Sequence, residues 1–149
     1  MIQLIGDGGH AAVIRTIPGF NWLQGWLVAV GDNQNRRKEA ETLGDVHFAI
    51  LAHPSAHITQ SVQIGIGTVV MAGAIIQTDV TIGKHCIINT GAQLDHHCKI
   101  GDYAHIAPGC VLCGSVTVGD GAFLGAGCIA VPGAVVEPWA YFKAGSTIK

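Results

Sequence analysis

Asp95-His96-His97 is the stretch of this chain best equipped to move a proton. Imidazole titrates near neutrality, so a histidine can take a proton from a nucleophile and later return it. A surface histidine is usually bland, but these two have neighbours at a fixed distance along the chain. Gly114 stands eighteen residues after His96, Ser115 eighteen after His97, and Asp79 eighteen before His97. If eighteen residues make one turn of a coil, a base, an acid able to orient it and an unencumbered backbone N–H share one corner. Acyl transfer requires those parts: a base for the nucleophile and a donor for the oxyanion. His96 is the base on this reading and His97 its orienting or binding partner, with Asp95 beside them and Asn89 and His105 nearby. Decoration of a corner is the competing reading for both histidines.

A second cluster is Gly6-Asp7-Gly8-Gly9-His10-Ala11, which follows an apolar stretch and opens a helical one. Glycine lets a backbone approach a ligand closely, and a helix start favours a phosphate. A tight strand-to-helix turn explains the same residues. Asp32, after the second apolar stretch, suits a ribose hydroxyl or the start of a turn.

The elements that must position these residues come from one period. Every sixth residue from Ile58 to Ile148 is apolar, sixteen positions in a single frame, with only Ala130 small and only Phe142 not aliphatic. Neither a helix nor a plain strand has this period; a hexapeptide repeat marks a β-helix. Four residues after each marker, from Val62 to Ser146, every residue is small, as a narrow lumen demands. Three after each marker, eight of fifteen positions are Gly, and Asp79, His85 and His97 share that column. These are corners where φ > 0 is needed. Three hexads make a triangular coil, so the segment winds about five coils, roughly 24 Å tall.

Residues 1–52 read differently. IQLIG, WLVAVG and VHFAILA are strand-like, AAVIRTI and RRKEAETLG helical, the latter ended by Gly44. That alternation predicts a small βαβαβ unit over 1–52, followed by the β-helix over 53–149. Apolar residues make up 49% of the chain and charged ones only 12%, yet no run of 18 apolar residues is free of Gly, Pro or charge. No membrane insertion is therefore expected, and the net charge of −2 gives no footprint for nucleic acid. Cys86, Cys98, Cys110 and Cys128 fall in the small inward column, which predicts buried thiols in a reducing, cytoplasmic setting; Cys113 lies off it.

The segments LIGDGGHAAVI, VAVGDNQNRRK, HPSAHI, INTGAQLDHHCKIGDYAHIAPG and LGAGCIAVPG together resemble the left-handed β-helix acyltransferases. Within them the chain is similar to the bacterial sialic-acid O-acetyltransferases and the N-acetyltransferases of nucleotide-linked 4-amino sugars. The resemblance covers nearly the whole chain. It implies an acetyl-CoA-dependent acetyltransferase acting on an amino or hydroxyl group of a sugar or nucleotide sugar, by direct attack with a histidine general base. It implies His96 as that base, the Gly114 amide as oxyanion donor, and acetyl-CoA contacts at His105, Ala126 and Ala144. Contacts to the sugar nucleotide match Gly8, Gly9, His10 and Gly31. Two departures stand out. An acidic residue of the family falls at His97, leaving Asp95 or Asp79 to replace it. A stretch of the family's N-terminal domain, with an acidic pair that grips the nucleotide, is missing between Ile17 and Trp26.

A flat apolar solenoid face and a site with one wall predict a homotrimer. Two other readings remain: a non-catalytic assembly module, and a zinc carbonic anhydrase of the γ type. The latter's ligand pair is five residues apart, where Gly101 follows His96 and Asp102 follows His97; no metal is expected.

Overall fold

The computed structural model describes residues 2–18 and 24–149. The shortened stretch between Ile17 and Trp26 therefore lies partly outside the described residues. The N-terminal unit opens with β1 (Ile2–Ile5) and α1 (Gly9–Arg15), followed by β2 (Gly25–Val28) and α2 (Asn33–Leu43). β1 and β2 pair in parallel, Ile2 opposite Gly25 through Ile5 opposite Val28. α1 begins at Gly8 without a side-chain cap and stops at Thr16, two residues short of Pro18. α2 has a built start, because the Asp32 carboxylate accepts from the Asn35 N–H at 2.8 Å. It ends at Gly44, whose φ of 64° needs no Cβ.

The third strand expected from VHFAILA is reduced to a single bridge between Trp26 and Phe48. The chain then commits to the solenoid at once: Leu51–Ala52 pairs with Val69–Val70 one coil on. Among the described residues this unit offers two parallel strands, and they bury too little to stand alone.

The rest is a parallel β-helix of two-residue rungs in three sheets of six, six and five strands. Sheet 1 runs from Leu51–Ala52 to Tyr141–Phe142, sheet 2 from His57–Ile58 to Thr147–Ile148, and sheet 3 from Gln63–Ile64 to Val135–Val136. Pairing is in register at eighteen residues throughout, as at Leu94 with Ile76 below and Leu112 above. The marker column and the small column fill the lumen; Ile76, Ile88, Ile106, Leu112 and Leu124 are fully buried.

The corner column takes left-handed φ at all eight of its glycines and at Asp79, His85, His97, Tyr103, Ser115 and Trp139. For a non-glycine this conformation costs about 1–2 kcal/mol. The stacked coils impose it even on Tyr103 and Trp139, where residue type gave no hint.

Cys86, Cys98, Cys110 and Cys128 lie in the lumen with no exposed surface. Each thiol donates to the carbonyl fifteen residues ahead: Cys86 to Gly101 at 3.0 Å, Cys98 to Cys113 at 3.2 Å, Cys110 to Gly125 and Cys128 to Lys143 at 3.1 Å. Thr68 does the same toward Gly83 at 2.8 Å. These residues thus satisfy carbonyls that turn inward where the coil bends, which plain hydrophobes could not do.

The N-terminal unit covers sheet 1 and the corner between sheets 3 and 1. Ile2, Ala11, Ile14, Ile17 and Leu27 pack on Leu51, Val69, Met71 and Ile87. Arg36 bolts α2 across that corner. Its guanidinium donates to the carbonyls of His85 (2.8 Å), Val30 (3.0 Å), Gly31 (3.1 Å) and Tyr103 (2.6 Å), and to Asn33 Oδ1 (2.8 Å). Asn33 Nδ2 adds bonds to the Gly121 and Ala122 carbonyls. No carboxylate touches this arginine among those bonds, and burial lowers its pKa to about 10.

Candidate active site

The corner between sheets 2 and 3 carries Asp95, His96 and His97, all exposed. The eighteen-residue pitch sets His96 beneath Gly114. A Cβ added to Gly114 would fall 2.4 Å from His96 Cε1 and 2.6 Å from Nε2. Glycine at 114 is therefore what makes room for the ring. Gly114 N–H has no acceptor among the described residues. His96 Nδ1 meets His97 Nδ1 at 2.9 Å, and His97 Nε2 reaches Asp79 Oδ2 at 3.6 Å. Asp95 is occupied otherwise: its Oδ1 accepts from the His96 N–H at 2.8 Å, holding the corner.

Asn89 is not at this corner. It begins the corner between sheets 1 and 2, where Oδ1 accepts from the Thr90 N–H at 2.8 Å and Nδ2 lies 3.2 Å from His105 Nε2. Ala126 and Ala144 stack exposed on the same corner, linked by the bond from the Gly145 N–H to the Ala126 carbonyl at 2.9 Å. Within one chain the proposed base and the proposed acetyl-CoA column thus lie on opposite flanks of sheet 2. Between them sheet 2 shows solvent a face containing Ile75, Val111 and Ile129, with Ile129 47% exposed.

The N-terminal loop joins the second group. His105 Nδ1 lies 3.3 Å from the Gly31 carbonyl, and the His10 and His105 rings are 6.2 Å apart. With a carbonyl on one side and the Asn89 amide on the other, His105 is a neutral ring with its proton on Nδ1. Burial, then the Arg36 charge, pushes its pKa down to about 3 and that of His10 to about 4. His10 Nε2 is buried without a partner. Gly8, Gly9 and Gly31 face open space, and a Cβ there would touch nothing within 4 Å. Packing does not explain these three glycines, whereas Gly6, at φ 109° against the Ala29 carbonyl, is demanded by the fold. Asp32 is committed to capping α2.

One feature escaped the sequence reading. Gly31, Asn33, His105, Phe123, Trp139 and Tyr141 line a cleft of about 610 Å³ between the N-terminal unit and the upper coils. Phe123 and Tyr141 stack at 5.1 Å and 10°, and His105 meets Phe123 edge-on at 5.0 Å. The signal was present as an aromatic column at 105, 123 and 141, spaced by one coil. Among the described residues no group of three or more His, Cys, Asp or Glu is close enough to hold a metal.

The fold is that of a hexapeptide-repeat parallel β-helix. Residues 79–114 match the family described as bacterial transferase hexapeptide (six repeats). A UDP-N-acetylbacillosamine N-acetyltransferase of Bacillus subtilis is 38% identical over 48% of this chain. The match spans about half of that relative's length, 51%. The acetyltransferase domain of PglB from Neisseria gonorrhoeae superposes with a TM-score of 0.89 at 30% identity, covering 99% of this chain and 90% of that one. PerB from Caulobacter crescentus, solved with CoA and GDP-perosamine, gives 0.89 at 34% identity over 99% and 88%. The chain belongs to the hexapeptide-repeat β-helix acetyltransferases, in the group of the PglB- and PerB-type sugar N-acetyltransferases.

Proposed function

We propose that this protein transfers acetyl from acetyl-CoA to an amino group of a nucleotide-linked sugar, a hydroxyl being the alternative acceptor atom. The observation that carries the reading is the His96 ring packed against Gly114, a residue whose backbone N–H has no acceptor among the described residues. His96 takes a proton from the acceptor nitrogen as that nitrogen attacks the thioester carbonyl carbon. The Gly114 N–H steadies the tetrahedral oxyanion. Collapse breaks the C–S bond, and the proton passes from His96 to the departing CoA sulfur. No acyl-enzyme forms.

Acetyl-CoA runs along Ala126 and Ala144, small exposed residues that leave room for a pantetheine arm. The acceptor lies against Gly8, Gly9, His10 and Gly31, where open space faces the glycines and His10 Nε2 lacks a partner. The two groups flank sheet 2, so a homotrimer packed on that apolar face would bring one protomer's His96 to its partner's Ala126 column, with Asn89 entering from that partner. The relatives' complexes with CoA and with GDP-perosamine support these ligand classes. The thiol-rich lumen and the acetyl-CoA requirement suit the cytoplasm. The test is acetyl-CoA turnover with a panel of nucleotide-linked 4-amino sugars. Wild type should turn over with one of them, and His96→Ala should lose about 10²- to 10⁴-fold; near-full activity in the variant refutes the assignment.

A further inference from the structure

We propose that Asp79, acting through His97, sets which nitrogen of His96 carries the proton, so that Asp79 and His97 are positioning residues for the base. The consequence for catalysis rests on the reading of His96 just given; the relay itself does not.

The argument starts from the 2.9 Å contact between His96 Nδ1 and His97 Nδ1. Only one proton fits between two ring nitrogens, and either ring could supply it. The choice falls to the far side of His97. There Nε2 faces Asp79 Oδ2 at 3.6 Å. That separation is longer than a hydrogen bond, so the carboxylate acts through its negative charge, which favours the His97 tautomer with its proton on the near nitrogen, Nε2. His97 Nδ1 is then a bare acceptor, and His96 must donate from its own Nδ1. The lone pair of His96 is left on Nε2, the nitrogen beside Gly114. Reverse the tautomer of His97 and the order inverts: His96 Nε2 holds a proton and cannot serve as base.

The coil holds this chain in register. Asp79 and His97 occupy the same corner column one coil apart, at φ 57° and 60°. The Asp79 N–H donates to Ser61 Oγ at 2.9 Å, Ser61 Oγ meets Thr78 Oγ1 at 3.0 Å, and the His97 N–H donates to the Thr78 carbonyl at 3.0 Å. Both side chains are more than half exposed, 60% for His97 and 55% for Asp79, so the pair adds little to stability. Its effect is on proton placement.

The test is long-range ¹H–¹⁵N correlation of the imidazole nitrogens in the intact protein at mildly alkaline pH, with His96 assigned by its loss in His96→Gln. Wild type should show His96 mainly protonated on Nδ1. Asp79→Asn keeps size and tolerates positive φ, so the fold should hold. It should lower the Nδ1–H to Nε2–H ratio of His96 about threefold or more, and lower kcat about tenfold with little change in acceptor KM. His97→Glu offers His96 Nδ1 a carboxylate directly. In the double variant His97→Glu/Asp79→Asn the Nδ1–H form should return, which a merely structural role for Asp79 would not produce. An unchanged His96 tautomer in Asp79→Asn overturns the relay. A tautomer that responds as described in a protein with no acetyl transfer supports the relay and removes the acetyltransferase reading instead.

Discussion

Gly114→Ala separates the position of the base from everything else at the proposed site. Gly114 does not use a left-handed φ, so alanine fits the backbone, and the N–H proposed for the oxyanion survives. The new Cβ, however, would lie 2.4 Å from His96 Cε1, against an ordinary contact of 3.4 Å or more, so the ring must retreat by about 1 Å. His96 is exposed and can swing outward, so stability should fall by less than about 1 kcal/mol. Catalysis is less forgiving: a misplacement near 1 Å costs about 10²-fold. CoA thiol release with the competent acceptor should therefore show kcat down about 100-fold, with the affinity for acetyl-CoA held. If the loss arises through His96, Gly114→Ala in a His96→Ala background should cost almost nothing more. A folded Gly114→Ala protein with wild-type kcat would refute the seating of His96 on Gly114 in the working enzyme. Additive losses would refute the causal link.

The N-terminal unit and the lumen give three further expectations. Arg36→Met strands five acceptors, two of them in buried bonds and three in part-buried ones, so amide exchange in α2 should accelerate as local stability drops by about 3 kcal/mol, while solenoid amides stay protected; unchanged α2 protection would contradict the bolt. Burial, reinforced by Arg36, lowers the His105 pKa to about 3 and those of His10 and His85 to about 4. Since the unfolded chain binds these protons first, stability is full above pH ~6.5 and falls as pH drops toward 4, by about 2–4 kcal/mol at pH 5.5; a urea midpoint that does not move between pH 7.5 and 5.5 would count against it. Burial pushes the Cys86 thiol up to about 12 and Cys110 up to about 11, so a thiol reagent should label native protein at Cys113 alone, and rapid labelling of several thiols would contradict the lumen assignment.

The fold was legible because a solenoid writes its geometry into a short period. Each marker such as Ile76 or Leu112 meets the same lumen, so sixteen weak signals repeat one statement. The N-terminal unit has no such redundancy. VHFAILA reads as a third strand by composition, yet Leu51 and Ala52 find a complete sheet one coil away, and that pairing takes them from the small sheet. Nor does composition reveal that Arg36, in a strongly polar helix, is buried on five acceptors. The carbonyls it satisfies belong to corners at His85 and Tyr103, residues far from it in sequence.

The placement of the candidate site residues was legible to the same depth, and for the same reason. Residues related by eighteen could be placed together: His96 under Gly114, Asp79 against His97, Ala126 under Ala144. Residues close in sequence but on different corners could not. Asn89 is only seven residues from His96, which invites grouping them, yet one rung of sheet 2 lies between their corners and Asn89 turns to His105 instead. A triangular coil makes sequence proximity misleading at the scale of six residues and reliable at eighteen. The same geometry divides the proposed chemistry: proposed base on one flank of sheet 2, proposed acetyl-CoA column on the other, apolar Ile75, Val111 and Ile129 between. A second copy packed against that face is the simplest way to bring the two proposed flanks within reach of one substrate, so the proposed trimer and the proposed site stand or fall on the same surface.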